Sequence, residues 1–255
     1  MRNEKLMGYV LHAKPYQEKR AIYQLFSLEY GLMQGVGVRS IPSFVPLELF
    51  VTGKSALKTF AQIQPSADFA MLSVVGRVQY ALLYMNEVLL RLLAIENACP
   101  MLWQVYHNEV QSLRTLGKKV CIDNDEMKAS LRRFERALFD ELGVAIDFHR
   151  DGLGVPIKPD AYYRFVPELG FVLVSSTLIH QAKHDGKRVG RLAYLGADLL
   201  RMGQADADVL IYHEKLDEFG QLQRDVMDYL LDYKPLHSRK LWQQSLMYQN
   251  SQPID

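Results

Sequence analysis

Glycine and proline punctuate residues 1–68 at intervals of about ten, and this spacing constrains the fold more than any other feature of the chain. Residues 7–13 are rich in strand formers, and Pro15 is expected to stop that strand. Residues 20–29 alternate in part, with Ile22, Leu25, Phe26 and Leu28 apolar. Gly31 turns the chain into residues 32–39, Pro42 and Pro46 bracket a loop, and residues 47–52 follow. Gly53 leads into residues 57–63, where Leu57, Thr59, Ala61 and Ile63 share one face and Lys58, Phe60 and Gln62 the other. Five short strands in about 70 residues fit a small closed barrel of the oligonucleotide-binding (OB) type.

Beyond Pro65 the pattern becomes helical. A first helix is expected over 76–97, apolar nearly all round and therefore buried on several sides. A second, over 101–116, follows Pro100 and ends at Gly117. A third starts at Asp123, with Glu126 at capping-box spacing; Leu131, Phe134, Leu138 and Leu142 form its apolar stripe, and Gly143 its stop. Residues 144–187 read as an irregular insert holding one hairpin, 162–166 and 171–175, turned by Pro167 to Gly170. Helix resumes near Arg188, with a cap at Asp206, helices over 219–233 and 238–248, and a break at Pro235. The expected class is α+β: an OB barrel over 1–70, a helical domain over 71–143 and 188–250, and the insert at 144–187.

Composition narrows the function. Apolar residues at 49% and charged residues at 23% exclude a disordered, collagen-like or disulfide-framework chain. Thirty Lys and Arg balance 29 Asp and Glu for a net charge of +1, so a nucleic-acid surface has to come from local segregation of charge. Two cysteines, Cys99 and Cys121, suit a reducing compartment and read as buried thiols. The charged residues 1–5 lead into a stretch broken by His12, Lys14 and Pro15, so no signal peptide is expected. The most apolar stretch, 80–95, is interrupted by Asn86, Glu87 and Arg91 and falls short of the roughly 20 residues that span a bilayer. The expectation is a cytoplasmic protein without a membrane partner.

Most chemical motifs fail on inspection. Gly53-Lys54-Ser55 ends like a phosphate-binding loop, but Glu48 stands where its first glycine belongs. Gly35-Val-Gly37 lacks the third glycine, Ser40 taking its place, and Pro42 prevents a following helix. His180 and His184 have helical metal-ligand spacing, with only His149 and Asp185 as further candidates, and a solvated Lys-rich segment is the better explanation. Asp206 and Asp208 diverge on a helix. No catalytic set assembles, and no cofactor or metal is expected.

Two constellations remain. Lys14, Tyr16, Lys19, Arg20, Arg39, Lys54, Lys58 and Phe60 lie in the barrel, where cations can track phosphates and aromatic rings can stack on bases. On the third helix, Arg132, Arg133 and Arg136 adjoin Leu131 and Phe134. They either form a solvated face, with Arg132 pairing Glu135 and Arg136 pairing Asp140, or a cationic rim for an acidic peptide.

The chain also resembles the RecO recombination-mediator family over most of its length. The residues that carry the likeness are Gly8-Tyr-Val-Leu-His-Ala-Lys-Pro-Tyr-Gln-Glu18, Leu25-Phe26 with Tyr30-Gly31-Leu32, Lys58-Thr59 with Gln64-Pro65, and Tyr84-Met-Asn-Glu-Val-Leu89. Leu131-Arg-Arg-Phe-Glu135 with Leu142-Gly143, Tyr163-Arg-Phe165 with Glu168-Leu-Gly-Phe171, and Lys234-Pro-Leu-His-Ser-Arg-Lys-Leu241 complete it. The resemblance implies a non-enzymatic mediator of DNA repair, bacterial and nucleoid-associated. Such a protein binds single- and double-stranded DNA, anneals strands and, with RecR, helps load RecA onto DNA coated by single-strand-binding protein. It implies DNA contacts at Lys14, Lys19, Arg20, Arg39, Lys54, Lys58, Lys234 and Arg239. It also implies that Arg132 and Arg133, beside Leu131 and Phe134, hold the acidic, Phe-ending tail of single-strand-binding protein. Two departures stand out. Residues 149–152 and 174–176 lack the Cys-x-x-Cys pairs of many members, so no structural zinc is expected. The basic loop after the third strand is reduced to Arg39, which predicts weaker DNA binding or a footprint moved toward Lys14, Lys19, Arg20 and the C-terminal Lys234, His237, Arg239 and Lys240. The rival reading is a protein-interaction module of the same fold that binds the tail and RecR with little DNA affinity.

Overall fold

The structure is a computed structural model and describes residues 2–66, 76–119, 123–175, 177, 179, 184, 193–204 and 215–250. These group into two compact units, one drawn from Met1–Asp123 and Pro235–Asp255, the other from Asn124–Lys234.

The first unit opens with strands β1 (Glu4–Gln17), β2 (Arg20–Ser27), β3 (Gly31–Val38), β4 (Leu47–Thr52) and β5 (Leu57–Pro65). They close into a barrel in the order β1-β2-β3-β5-β4, with β3 and β5 parallel and the other pairs antiparallel. This is the expected OB architecture. Strand periodicity fills its interior: Leu47, Leu49 and Val51 of β4 are buried while the residues between them are not. On β5 the inward face is the one bearing Lys58 and Phe60. Phe60 fills the barrel over Gly35, where a Cβ would lie 2.5 Å from its ring.

Contrary to the expectation from sequence, Pro15 does not end β1. The strand runs to Gln17, with Pro15 opposite Ala21 and a register shift before Gln17 pairs Arg20. Strand β4 pairs β1 only over Glu4 to Gly8, so further along β1 has one neighbour. Proline is tolerated at such an edge and at a bulge. The β1–β2 hairpin therefore continues as an arm, exposed from His12 to Arg20.

Helices α1 (Arg77–Leu92) and α2 (Pro100–Leu116) follow. α1 stops short of the expected residue 97 because the barrel captures the chain beyond it. Ile95 bridges Leu32 in parallel, and Glu96 N donates to Leu32 O at 2.8 Å. α2 starts at Pro100, whose missing N–H costs nothing in a first turn, and ends at Gly117 as expected.

The second unit contains α3 (Asn124–Glu141), the hairpin β6 (Tyr162–Val166) and β7 (Gly170–Val174), β8 (Tyr194–Leu195), α4 (Gly196–Gln204) and α5 (Leu216–Leu230). Gly143, at φ 71, closes α3: its N–H reaches Asp140 O, and Val144 N reaches Phe139 O. The three-stranded sheet has the order β7-β6-β8. β8 lies where helix was expected; it pairs Tyr194 with Tyr163 and Leu195 with Tyr162. Phe148, Tyr163, Phe171, Tyr194, Leu199 and Phe219 are central to the core. α5 ends three residues before the expected Tyr233, because Asp232 and Tyr233 both take positive φ ahead of Pro235. The final helix, α6 (His237–Asn250), belongs to the first unit and lies along α1.

Candidate nucleic-acid interface and peptide pocket

Strand register decides which barrel cations meet. Gln17 opposite Arg20 leaves Glu18 and Lys19 as a two-residue turn. Arg20 pairs Val38 on β3, and the next residue's N–H, that of Arg39, donates to Lys19 O at 3.2 Å. Lys19, Arg20 and Arg39 thus gather at one end of the barrel, with Lys14 and the exposed Tyr16 on the adjoining arm. Among the described residues no carboxylate forms an ion pair with any of these four cations, and Glu18 is the one acid in the turn. Unneutralised cations side by side raise the local potential of a molecule with almost no net charge.

The other expected cations are elsewhere. Lys54 is in the β4–β5 turn, at the end where Glu4 of β1 faces Val51, opposite the Lys19 turn. Lys58 is 6% exposed; its Nζ donates to Ser55 O at 2.7 Å and pairs Glu96 at 2.6 Å. Its ammonium is therefore not offered to a phosphate, because β5 turns that face inward. Lys234 is exposed and pairs Asp232 at 3.2 Å. The Arg239 guanidinium sits 5.6 Å from the Tyr84 ring centre.

The Lys-Pro-Leu-His-Ser-Arg segment works as a clasp. Glu87 of α1 accepts the N–H groups of His237 and Ser238 and the Ser238 hydroxyl, at 2.9, 2.8 and 2.7 Å, and so caps α6 from outside. Arg91 pairs Glu87 and also donates to Pro235 O. Burial raises the Glu87 carboxyl, but these hydrogen bonds and Arg91 outweigh it and hold the group below the usual carboxylate range.

On α3 the structure separates the arginines. Arg132 is mostly buried, its Nη2 pairing Glu135 Oε1 at 2.9 Å, with side chains 13% and 2% exposed. Gln223 of α5 donates to Arg132 O at 3.0 Å, and the Arg132 Nη1 lies over Gly220. This is the intrahelical pairing that spacing allowed, with its charge turned toward α5 instead of solvent. Phe134 is fully buried, Leu131 half-buried and Arg133 exposed. One turn further on, Arg136, Phe139, Asp140, Ile146, Phe148 and Phe219 border a pocket of about 190 Å³. The Arg136 guanidinium lies 5.8 Å from the centre of the Phe148 ring. Gln223, 2% exposed, also lines the pocket, and its Oε1 has no hydrogen-bond partner among the described residues. The pocket thus combines aromatic walls, a cation and an acceptor awaiting a donor. The sequence places Arg136 either in a pair with Asp140 or in the cationic rim, and the tail contacts expected there fell to Arg132 and Arg133. The i, i+3 pairing of Arg136 with Phe139 on one helix face was the available signal.

His180, Cys121, Asp206 and Asp208 lie outside the described residues. His184 is exposed, and Cys99 is buried and outside any disulfide among the described residues. Among the described residues no three His, Cys, Asp or Glu converge as metal ligands, and no helix is long and apolar enough to cross a membrane.

An OB barrel followed by helices and a small three-stranded sheet defines a mixed α+β protein of the barrel-plus-helical-domain class. Residues 76–240 match the family described as Recombination protein O C terminal. Over 256 residues the chain is 33% identical to the DNA repair protein RecO of Pseudoalteromonas atlantica, covering 96% of each. It is 31% identical over 248 residues to that of Vibrio parahaemolyticus, with 93% of this chain and 92% of the relative covered. For Vibrio vulnificus the identity is 32% over 245 residues, 92% and 90% covered. The chain belongs to the RecO family.

Proposed function

We propose that this protein is a DNA-repair mediator that binds and anneals single strands through the cationic end of its barrel, and that it does so without a chemical step. The observation that carries this reading is the register-enforced grouping of Lys19, Arg20 and Arg39, with Lys14 and Tyr16 on the arm beside them. Cations spaced along a ribbon follow a phosphate backbone, and an exposed ring accepts a base by stacking. The footprint is smaller than the eight residues named from sequence, since Lys58 is internally paired and Arg239 lies on Tyr84. Double-stranded DNA binds at the same end through its backbone. In the bacterial cytoplasm the protein acts with RecR to promote RecA loading onto DNA coated by single-strand-binding protein.

The acidic, Phe-ending tail of that binding protein fits the α3–α5 pocket. A terminal phenyl ring enters between Phe139, Phe148 and Phe219, a carboxylate meets Arg136, and a main-chain N–H meets Gln223 Oε1. Arg136 thereby replaces Arg132 as the tail's cation.

Fluorescence anisotropy with a labelled oligonucleotide at low salt tests the reading. The protein binds in the micromolar range or tighter, and Arg20→Glu and Arg39→Glu each weaken binding and slow annealing. Absence of binding at low salt would leave the interaction module, a second reading favoured by the internal pairing of Lys58. A labelled acidic peptide ending in Phe then distinguishes the pocket: Arg136→Glu abolishes its binding in either case.

A further inference from the structure

The loop from Arg39 to Pro46 contains two non-glycine residues in the left-handed region, Ser40 at φ 69 and Phe44 at φ 59. Such conformations persist only where surrounding structure over-determines them. Two buried side chains do this here. The Tyr23 hydroxyl donates to Val38 O at 2.6 Å and accepts Ile41 N–H at 3.5 Å, bracketing Arg39 and Ser40. Arg114, from the last turn of α2, donates through Nη1 to Phe44 O at 2.9 Å, while Phe44 and Val45 are buried. Arg114 is the end of a row on one helix face. Trp103 Nε1 donates to Phe26 O at 3.2 Å, and His107 Nδ1 meets the Tyr9 hydroxyl at 2.8 Å. Three polar anchors along α2 thus grip the barrel, and the last holds the loop.

We infer that Arg114 and Tyr23 are positioning residues for DNA binding: they fix the loop so that Arg39 is delivered beside Lys19 and Arg20. Both are buried, so neither can itself reach a phosphate. The backbone link from Arg39 N to Lys19 O is the point at which a fixed loop and the arm come together. The inference rests on the DNA-binding reading above and goes beyond it by placing part of the affinity in residues that never meet the ligand. A chain with only one cation in this loop depends on where that cation stands, because no neighbour in the loop can substitute for it.

The experiment is a double-variant cycle on the full-length protein, using single-strand anisotropy over a range of salt concentrations. The variants are Arg114→Met, Tyr23→Phe and Arg39→Gln, with Arg39→Gln also combined with each of the others; circular dichroism and thermal melts run beside them. Arg39→Gln lowers the slope of log K against log salt by about 0.7, one single-strand phosphate contact. Arg114→Met and Tyr23→Phe weaken binding in the same direction while the exposed cations stay unchanged. In the combined variants neither adds to the loss from Arg39→Gln. Additive losses, or full affinity in both Arg114→Met and Tyr23→Phe, overturn the inference. If Arg39→Gln alone leaves affinity and slope intact, the loop's role in DNA binding fails first and the inference falls with it, a result distinct from additivity. Should Arg114→Met fail to fold, the Tyr23→Phe arm decides, since it keeps the buried ring and removes one hydroxyl.

Discussion

Lys19, Arg20 and Arg39 at the barrel end, and Arg132, Arg133 and Arg136 on α3, are two triplets of cations close to apolar side chains, and the fold uses them in opposite ways. At the barrel end a two-residue turn and a strand terminus point the charges outward, and no carboxylate pairs with them among the described residues. On α3 the helix delivers Arg132 into the seam with α5, where Glu135 takes it, and leaves Arg136 beside aromatic rings. A hairpin turn has no interior, whereas a helix packed on one side always has one. The same residue type is therefore displayed to solvent in the first setting and, at Arg132, packed into a seam in the second.

The largest effect that would break this contrast is on stability. Arg132→Ala leaves Glu135 buried without its guanidinium and is expected to cost about 3–5 kcal/mol, read by chemical denaturation. Arg133→Ala, at an exposed position of the same helix, is expected to cost about 1 kcal/mol or less. Equal costs would mean that Arg132 is a surface group after all. Next comes a comparison within the barrel. Arg20→Glu is expected to weaken single-strand binding by on the order of ten-fold at low salt, with stability unchanged within about 0.5 kcal/mol. Lys54→Glu, at the opposite end, is expected to change affinity by less than about two-fold beyond the general loss of charge. Equal effects would dissolve the local strip into bulk electrostatics.

These contrasts also show what a sequence of this kind discloses. The five strands were legible because Gly and Pro mark their ends and β4 alternates cleanly, and α3 because an apolar stripe runs into Gly143. β8 was not, since two residues carry no period. The length of β1 was not either: whether a proline stops a strand depends on whether a neighbour needs its N–H, and that is a property of the sheet. Among the candidate site residues, Lys14, Lys19, Arg20 and Arg39 came together because hairpin register follows from local turns. Lys58 and Arg132 did not, because their partners Glu96 and α5 arrive from distant parts of the chain. Arg136 was overshadowed because its pocket needs Phe148 and Phe219, which no helical spacing from α3 can indicate.

The smallest loss expected of a perturbing variant concerns the C-terminal clasp, where Glu87 caps α6 through the N–H groups of His237 and Ser238. Glu87 is held below its ordinary pKa in the fold, so its carboxylate stabilises the protein above the unfolded value near 4.5, and that contribution disappears as pH falls through the lower folded value. Glu87→Gln keeps the shape but removes the charge that caps α6, costing about 1 kcal/mol at neutral pH. Denaturation measured from pH 7 downward should show the wild type and Glu87→Gln converging below pH 4.5, because the wild type alone loses this interaction on protonation. Parallel curves would mean that the cap acts through geometry instead of charge. A loss of single-strand binding at neutral pH in the folded Glu87→Gln protein would instead move the footprint onto Arg239 and Lys240, and erase the distinction between a displayed cation and a structural one.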